Sequence, residues 1–225
     1  MNIKIVFEDD ALLIVSKPCG LNSDEQVGYE SVEALLKNKY KKQQNVFPVL
    51  MHRLDRHTSG LILISKKRSV TPLLQQMMEQ RRIKKTYLAV VEGNIHPDVG
   101  MIKSFLLKNI LTKKAEISET KKTDLFKDAQ LKYKTIEIIN SLSLLEVELL
   151  TGRYHQIRAQ LAYLHHPVVG DKLYGSTIPS FIQNGIALHA YSLIFTHPVT
   201  HQKLKIIEWP DIKGCWKNFK RITDQ

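Results

Sequence analysis

The residues His52-Arg53-Leu54-Asp55-Arg56-His57-Thr58-Ser59-Gly60 set one carboxylate among two arginines and two histidines, just before the apolar stretch Leu61-Ile64. Nearby cations depress a carboxylate pKa, so an Asp in this company stays ionised. Asp55 is therefore suited to act as a base or nucleophile rather than to donate a proton. The position agrees, because loops that lead into buried strands are where scaffolds commonly hold reactive groups. A polar turn with a structural Asp–Arg pair has the same signature, since structural ion pairs also perturb pKa values.

A second segment, Thr151-Gly152-Arg153-Tyr154-His155-Gln156-Ile157-Arg158, gathers cationic and hydrogen-bonding groups at the start of an expected helix. The helix macrodipole disfavours positive charge there, and an anion would resolve the conflict. Backbone N–H groups of the first turn with Arg153 could hold a phosphate of a nucleic-acid backbone. Ile157, Leu161 and Leu164 recur at helical spacing and should face the core, which leaves His155 and Arg158 together on an adjoining face. Arg158 as a surface residue paired with some acid is the competing reading.

The elements that must carry these segments are read from periodicity and turn residues. Ile3-Phe7 and Leu12-Ser16 read as an antiparallel hairpin around the acidic turn Glu8-Asp9-Asp10, and Ser31-Tyr40 as a helix. After the strand Leu61-Ser65, Thr71 is expected as the N-cap and Pro72 as the first residue of a helix whose Leu and Met pairs face the core. Thr86-Glu92 reads as a strand. Gly100 to Asp128 suggests short strands joined by exposed loops. Leu131-Ile139 and Leu142-Leu150 form a hairpin turning at Asn140-Ser141, followed by a helix from about Arg153 to Leu164. Ala187-Thr196 pairs with Lys203-Glu208 in a last hairpin. Strands dominate and helices do not alternate with them, so a mixed, mainly antiparallel α+β architecture is expected.

Composition bounds the function. The 225 residues, 43% hydrophobic, can bury a sizeable core as one large domain or two joined lobes. Lys and Arg total 33 against 22 Asp and Glu, a net charge of +11 that points to a polyanionic partner, nucleic acid above all. Cys19 and Cys215 are far apart and suggest neither a zinc site nor a disulfide framework. Acidic residues interrupt the N-terminal apolar residues and no apolar run approaches the ~18 residues of a membrane span, so a soluble cytoplasmic protein is expected. His-Arg-Leu-Asp differs in order from the kinase catalytic loop, and a glycine-rich phosphate loop, a Walker loop and a Gly-x-Ser-x-Gly elbow are all absent. His165-His166 lacks metal-ligand spacing.

Taken together the motifs resemble the catalytic domain of the RluA family of RNA pseudouridine synthases over nearly the whole chain. They are His52-Arg53-Leu54-Asp55 with Thr58-Ser59-Gly60, Lys85-Thr86-Tyr87, Thr151-Gly152-Arg153 with His155-Gln156-Ile157-Arg158, and Gly170-Asp171 with Tyr174-Gly175. Lys17-Pro18 and Gly20-Leu21 match an N-terminal motif, with Ser16 and Cys19 where Asn and Ala are usual, and Tyr154 stands where Thr or Ser is more common. The resemblance implies one catalytic domain over residues 1–225, with a mixed sheet flanked by helices and a central active-site cleft, and without the S4-type RNA-binding domain that many members carry. It implies isomerisation of uridine in ribosomal or transfer RNA to pseudouridine, with no cofactor and no metal. Asp55 would be the catalytic carboxylate, attacking the sugar or the base or removing a ribose proton. Tyr87 would stack on the target uracil and assist proton removal from C5, and Arg158 would pair with the catalytic Asp. Arg53 would enter the RNA stack as the nucleotide turns out, and His52, Arg153 and His155 would contact RNA. The basic loops between about Lys103 and Lys127 would select the target. A monomer is expected, and the absence of heptads gives no reason to expect a coiled-coil dimer. A non-catalytic RNA-binding or ribosome-assembly protein on the same fold would share the charge without needing Asp55, Tyr87 and Arg158 together. A glycosidase would need a second acid beside Asp55.

Overall fold

The protein is described by a computed structural model over residues 3–225. In chain order the elements are β1 (Lys4–Glu8), β2 (Leu12–Lys17), α1 (Val32–Tyr40), β3 (Val49–Leu50), β4 (Ser59–Ser65), α2 (Thr71–Glu79), β5 (Lys84–Glu92), β6 (Val99–Asn109), β7 (Lys114–Ser118), β8 (Lys127–Ile139), β9 (Leu142–Leu149), α3 (Gln156–Tyr163), β10 (Leu188–Thr196), β11 (Lys203–Ile207) and α4 (Lys220–Thr223). The chain folds into two compact units. The first runs to Lys85 and adds residues 183–185 and 189–210; the second holds Thr86–Ile182, Ile186–Leu188 and the C-terminal segment from Asp211.

In the first unit the strand order is β1-β2-β4-β10, with β11 on β10 and β3 on β4. All of these pairs are antiparallel except β4 with β10. Leu12–Val15 of β2 and Leu61–Ile64 of β4 are fully buried. Both of their faces are covered, which is why they read as continuous apolar runs rather than alternating ones. Ser31 caps α1 by accepting the Ala34 N–H at 3.1 Å. Helix α2 begins one residue differently from expectation: Thr71 lies inside the helix, and its hydroxyl donates to Ser65 Oγ and Lys67 O instead of capping. Leu74 is buried and Met77 and Met78 pack on the same core, but Leu73 is 42% exposed.

Gly60, the second residue of β4, has φ +109°, a conformation open to glycine alone at no cost. A Cβ there would lie 2.3 Å from the Ala190 carbonyl oxygen, so glycine lets β4 and β10 meet backbone to backbone directly after the Asp55 loop.

In the second unit the order is β5-β9-β8-β6-β7. The β8–β9 hairpin turns at Asn140 and Ser141, both at positive φ (50° and 57°), as a two-residue turn matched to strand twist requires. Between 100 and 128 the expected short strand and exposed loops are present as β7 and the connections on either side of it, but the first part is one long strand, β6, paired with β7 and β8. Its exposed positions carry Lys103 and Lys108 among apolar residues and blur the alternation. Helix α3 starts at Gln156 rather than Arg153. His155 takes a left-handed conformation (φ 51°) at the N-cap, so residues 153–155 form a turn and not a first helical turn.

Candidate active site

In the first unit, the loop bearing Asp55 is tied down through its backbone. Ser23 Oγ donates to Leu54 O at 2.7 Å and accepts the Leu54 N–H at 2.9 Å, and Thr58 N donates to Asp55 O at 3.0 Å. Beneath it lies Lys17, with no exposed surface; its ammonium donates to the carbonyls of Leu21 (2.8 Å), Pro18 (3.0 Å) and Arg56 (3.2 Å). Gly20 N also donates to Arg56 O, so the turn after β2 and the Asp55 loop share one acceptor. Burial pushes the Lys17 pKa down to about 8, opposed by the charges of Cys19 and Asp55. Lys17 is thus a buried cation within electrostatic range of Asp55, supplied from 38 residues away in sequence. Its place in the Lys17-Pro18 motif carried no chemical assignment.

The flanking cations of the Asp55 run have other partners. Arg53, exposed, makes an ion pair with Asp24 at 2.6 Å. Arg56 Nε donates to Gly20 O at 3.0 Å, with its guanidinium 5.3 Å from the Tyr29 ring centroid. His57 Nδ1 lies 2.8 Å from Asn184 O. His52 turns inward, where Nε2 accepts the Leu63 N–H at 3.2 Å, so the proton of the neutral ring sits on the buried Nδ1. Burial, with the Lys85 charge adding to it, pushes its pKa down to about 3, so His52 is neutral at physiological pH and adds no positive charge beside Asp55. Ser59 Oγ lies 2.8 Å from His189 Nδ1, whose Nε2 donates to Glu208 O at 2.9 Å. With Nε2 as the donor, Ser59 must be the donor to Nδ1.

Lys17 offers a test in pH. Below about pH 8 the lysine is protonated in folded and unfolded chains alike, and the cost of burying its charge is at its largest. Between there and the ordinary value of 10.5 the folded protein has released a proton that the unfolded chain still binds, so this residue's contribution to stability rises with pH. In urea unfolding, wild type is expected to gain on Lys17→Met by about 1 kcal/mol per pH unit between pH 8 and 10. A pH-independent difference would refute the lowered pKa.

In the second unit, Tyr87 sits on β5 and is 6% exposed. Arg158 on α3 is 3% exposed and is held in a fork by Asp171: Nε to Oδ2 at 2.6 Å and Nη2 to Oδ1 at 2.9 Å. Asp171 is 2% exposed, so the pair is fully withdrawn from water. Asp171 belonged to the Gly170-Asp171 motif, but no local spacing reveals a partner thirteen residues back. Arg158 also lies 5.1 Å over the Tyr174 ring, and His155 Nδ1 lies 3.1 Å from the Tyr174 hydroxyl. His155 and Arg158 therefore do meet on one side of α3, at a tyrosine to which no role had been given. Gln156, the first residue of α3, reaches back to the turn before it: its Oε1 accepts the Arg153 N–H at 3.0 Å and the Thr151 hydroxyl at 2.8 Å. Arg153 Nε donates to Asp128 O at 2.8 Å while the residue stays exposed.

Among the described residues no three His, Cys, Asp or Glu side chains are grouped as metal ligands would be, and no helix is long and apolar enough to cross a membrane.

The motifs and the mixed sheet define a class. The sequence pattern of the RNA pseudouridylate synthase family matches residues 11–163, and the chain belongs to that family, in its RluA-type branch. Among its relatives, the ribosomal large subunit pseudouridine synthase C of Haemophilus ducreyi is 32% identical over 209 residues, which are 90% of this chain and 64% of that protein. The enzyme of the same name from Escherichia coli is 33% identical over 98% of this chain and 70% of its own length. A Bacillus subtilis protein called uncharacterized RNA pseudouridine synthase YhcT is 35% identical over 96% of this chain and 72% of its own. The chain thus spans just under two thirds of the length of relatives such as the Haemophilus protein. Human RNA pseudouridylate synthase domain containing 1 and domain containing 4 share the fold. Their TM-scores are 0.74 and 0.75, with 22% and 20% identity over 94% and 93% of this chain and 84% and 89% of theirs.

Proposed function

We propose that the protein is an RNA pseudouridine synthase, an isomerase that converts specific uridines in ribosomal or transfer RNA to pseudouridine with Asp55 as its catalytic carboxylate. The observation that carries this reading is the Asp55 loop itself, pinned through backbone bonds to Ser23 with the buried Lys17 ammonium beneath it. A structural Asp–Arg turn has no need of such a support, whereas a reactive carboxylate must be held in place and kept ionised. Membership of the family supports the chemistry, and relatives named for the ribosomal large subunit favour its RNA as the substrate. Tyr87 and Arg158 serve the same reaction, Tyr87 by presenting its ring to the uracil and Arg158 by its charge. Arg53, Arg153 and His155 are assigned to RNA; His52, expected there as well, turns inward with both ring nitrogens away from solvent and is not. Arg53 is the best suited to move, because an exposed ion pair such as that with Asp24 is worth only about 0–1 kcal/mol and gives way easily to a phosphate or a base.

The test is tritium release from transcripts labelled at uridine C5, with ribosomal and transfer RNA pools compared. Isomerisation frees the C5 hydrogen and leaves no free base. Release from one pool identifies the substrate class, free uracil would indicate a glycosidase, and binding without release from either pool would favour the non-catalytic reading.

A further inference from the structure

In the second unit, Phe181 takes a backbone conformation that bulky residues avoid. Its φ is 53°, in the left-handed region, and the residue is 78% exposed. The backbone is a minor share of a phenylalanine's surface, so an exposure this high requires most of the ring to stand in water. The chain around it is fastened. Ser180 O accepts the Cys215 N–H at 2.9 Å, and the Ile182 N–H donates to Ser180 Oγ at 3.2 Å. Ile178 donates its N–H to Glu92 Oε1 at 2.9 Å and accepts the Gly170 N–H at the same distance. Gly214 belongs to the same clamp, since a Cβ there would lie 2.3 Å from Ser180 O and 2.9 Å from the Phe181 carbonyl carbon. Bonds on both sides of Phe181 therefore hold the positive φ, and strain that the surrounding structure holds in place is a pointer to function.

A pocket of about 190 Å³ lies against this ring. Leu142, Ile178, Pro179 and Phe181 form its apolar wall, and Lys217 and Asn218 line it as well. The volume is below the roughly 300–1,000 Å³ of pockets that enclose whole ligands, so it has room for one flat ring rather than a cofactor. Lys213 directly precedes Gly214, another lining residue, and both lysines are exposed. Lys213 meets Asp211 at 3.2 Å, but an exposed pair of this kind is weak and gives way to a phosphate.

We infer that this pocket is an accessory RNA subsite, in which one unpaired base stacks on Phe181 while Lys213 and Lys217 take the phosphates beside it. Stacking needs only a π-face, which every base has, and the Asn218 amide offers both a donor and an acceptor to a base edge. An apolar peptide side chain would fill the same space, yet it would leave the two lysines without anions, and a net charge of +11 favours a polyanion. The inference rests on the proposed action on RNA. It adds a nucleotide site made of residues distinct from those assigned to the uridine that reacts.

Two fluorescent probes test it: an oligo(rA) decamer, and an abasic decamer with the same phosphates. Phe181→Asn removes the ring and places at this φ a residue that tolerates the left-handed region, so the fold is kept. This variant is expected to weaken oligo(rA) binding at least ~5-fold and leave the abasic probe nearly unchanged. Phe181→Tyr keeps the ring and should bind like wild type. The double variant Lys213→Gln/Lys217→Gln should weaken both probes and reduce the slope of log Kd against log salt by about 1.4. Equal loss on both probes with Phe181→Asn, or no loss on either, overturns the subsite. Should Phe181→Asn fail to fold, photocrosslinking of wild type to a 4-thiouridine decamer decides: adducts must include the peptide bearing Phe181, and their absence from it overturns the inference. Tritium release keeps the two readings apart. Base-selective binding through Phe181 in a protein that releases no tritium would leave the subsite standing and the proposed activity refuted. Tritium release with binding indifferent to Phe181 would do the reverse.

Discussion

Asp55→Asn is expected to lower turnover by at least ~10³-fold while RNA affinity stays within about threefold of wild type. Asn preserves the shape of the side chain, and the bonds that hold the loop, from Ser23 to Leu54 and from Thr58 N to Asp55 O, involve the backbone at 54 and 55 and are untouched. What is lost is the carboxylate charge beside the Lys17 ammonium. The two readings of the run part here: a structural Asp would show its loss in the melting temperature, a catalytic one in the rate. The measurement is single-turnover tritium release with thermal unfolding on the same samples. A stable, RNA-binding variant with near wild-type release would refute the assignment of Asp55.

The second large effect concerns stability. Asp171→Asn removes the carboxylate charge from a buried fork whose partners are 2% and 3% exposed, and takes that charge away from the Arg158 guanidinium. Breaking such a pair costs about 3–5 kcal/mol, which in a chain of this size is a fall in Tm of roughly 10 °C. The double variant Arg158→Met/Asp171→Leu removes both charges, and apolar replacements of a buried pair are often neutral, so most of the lost stability should return. Activity should not return with it if Arg158 serves the reaction. A double variant as unstable as Asp171→Asn would show that packing, not the lost charge, sets the cost.

Much of this was legible in the sequence because periodicity reports burial. The runs Leu12–Val15 and Leu61–Ile64 announce strands covered on both faces, and Asn140-Ser141 announces a tight turn. The long strand β6 was missed, since its lysines and its pairing with both β7 and β8 are visible only once the partners are in place. Asp55 stood out by the residues around it, yet those neighbours were a partial guide: Arg53 pairs with Asp24, and His52 is neutral. The buried cation within electrostatic range of Asp55, Lys17, comes from the end of β2 and is recognisable only when its burial is seen. The same holds for Asp171. The residue types were in view, but the pairing was not, because side-chain partners brought together by the tertiary fold leave no spacing for periodicity to detect. The helix starts at Gln156, which reaches back to Arg153, and the turn Arg153-Tyr154-His155 carries no pattern that separates it from a first helical turn.

The meeting of β4 and β10 at Gly60 has a consequence for how the protein is made. Ser59 and Gly60 pair with His189 and Ala190, and His57 reaches Asn184, across about 130 residues of intervening chain. Contacts of such sequence separation form late, because the loop they close is costly in entropy. On the ribosome, the segment carrying Asp55 emerges well before the strand that seats it, and it must wait for residues near 190 before its geometry is complete. The Asp55 loop is therefore finished only when most of the chain has been synthesised, so an early-terminated product would lack it in assembled form.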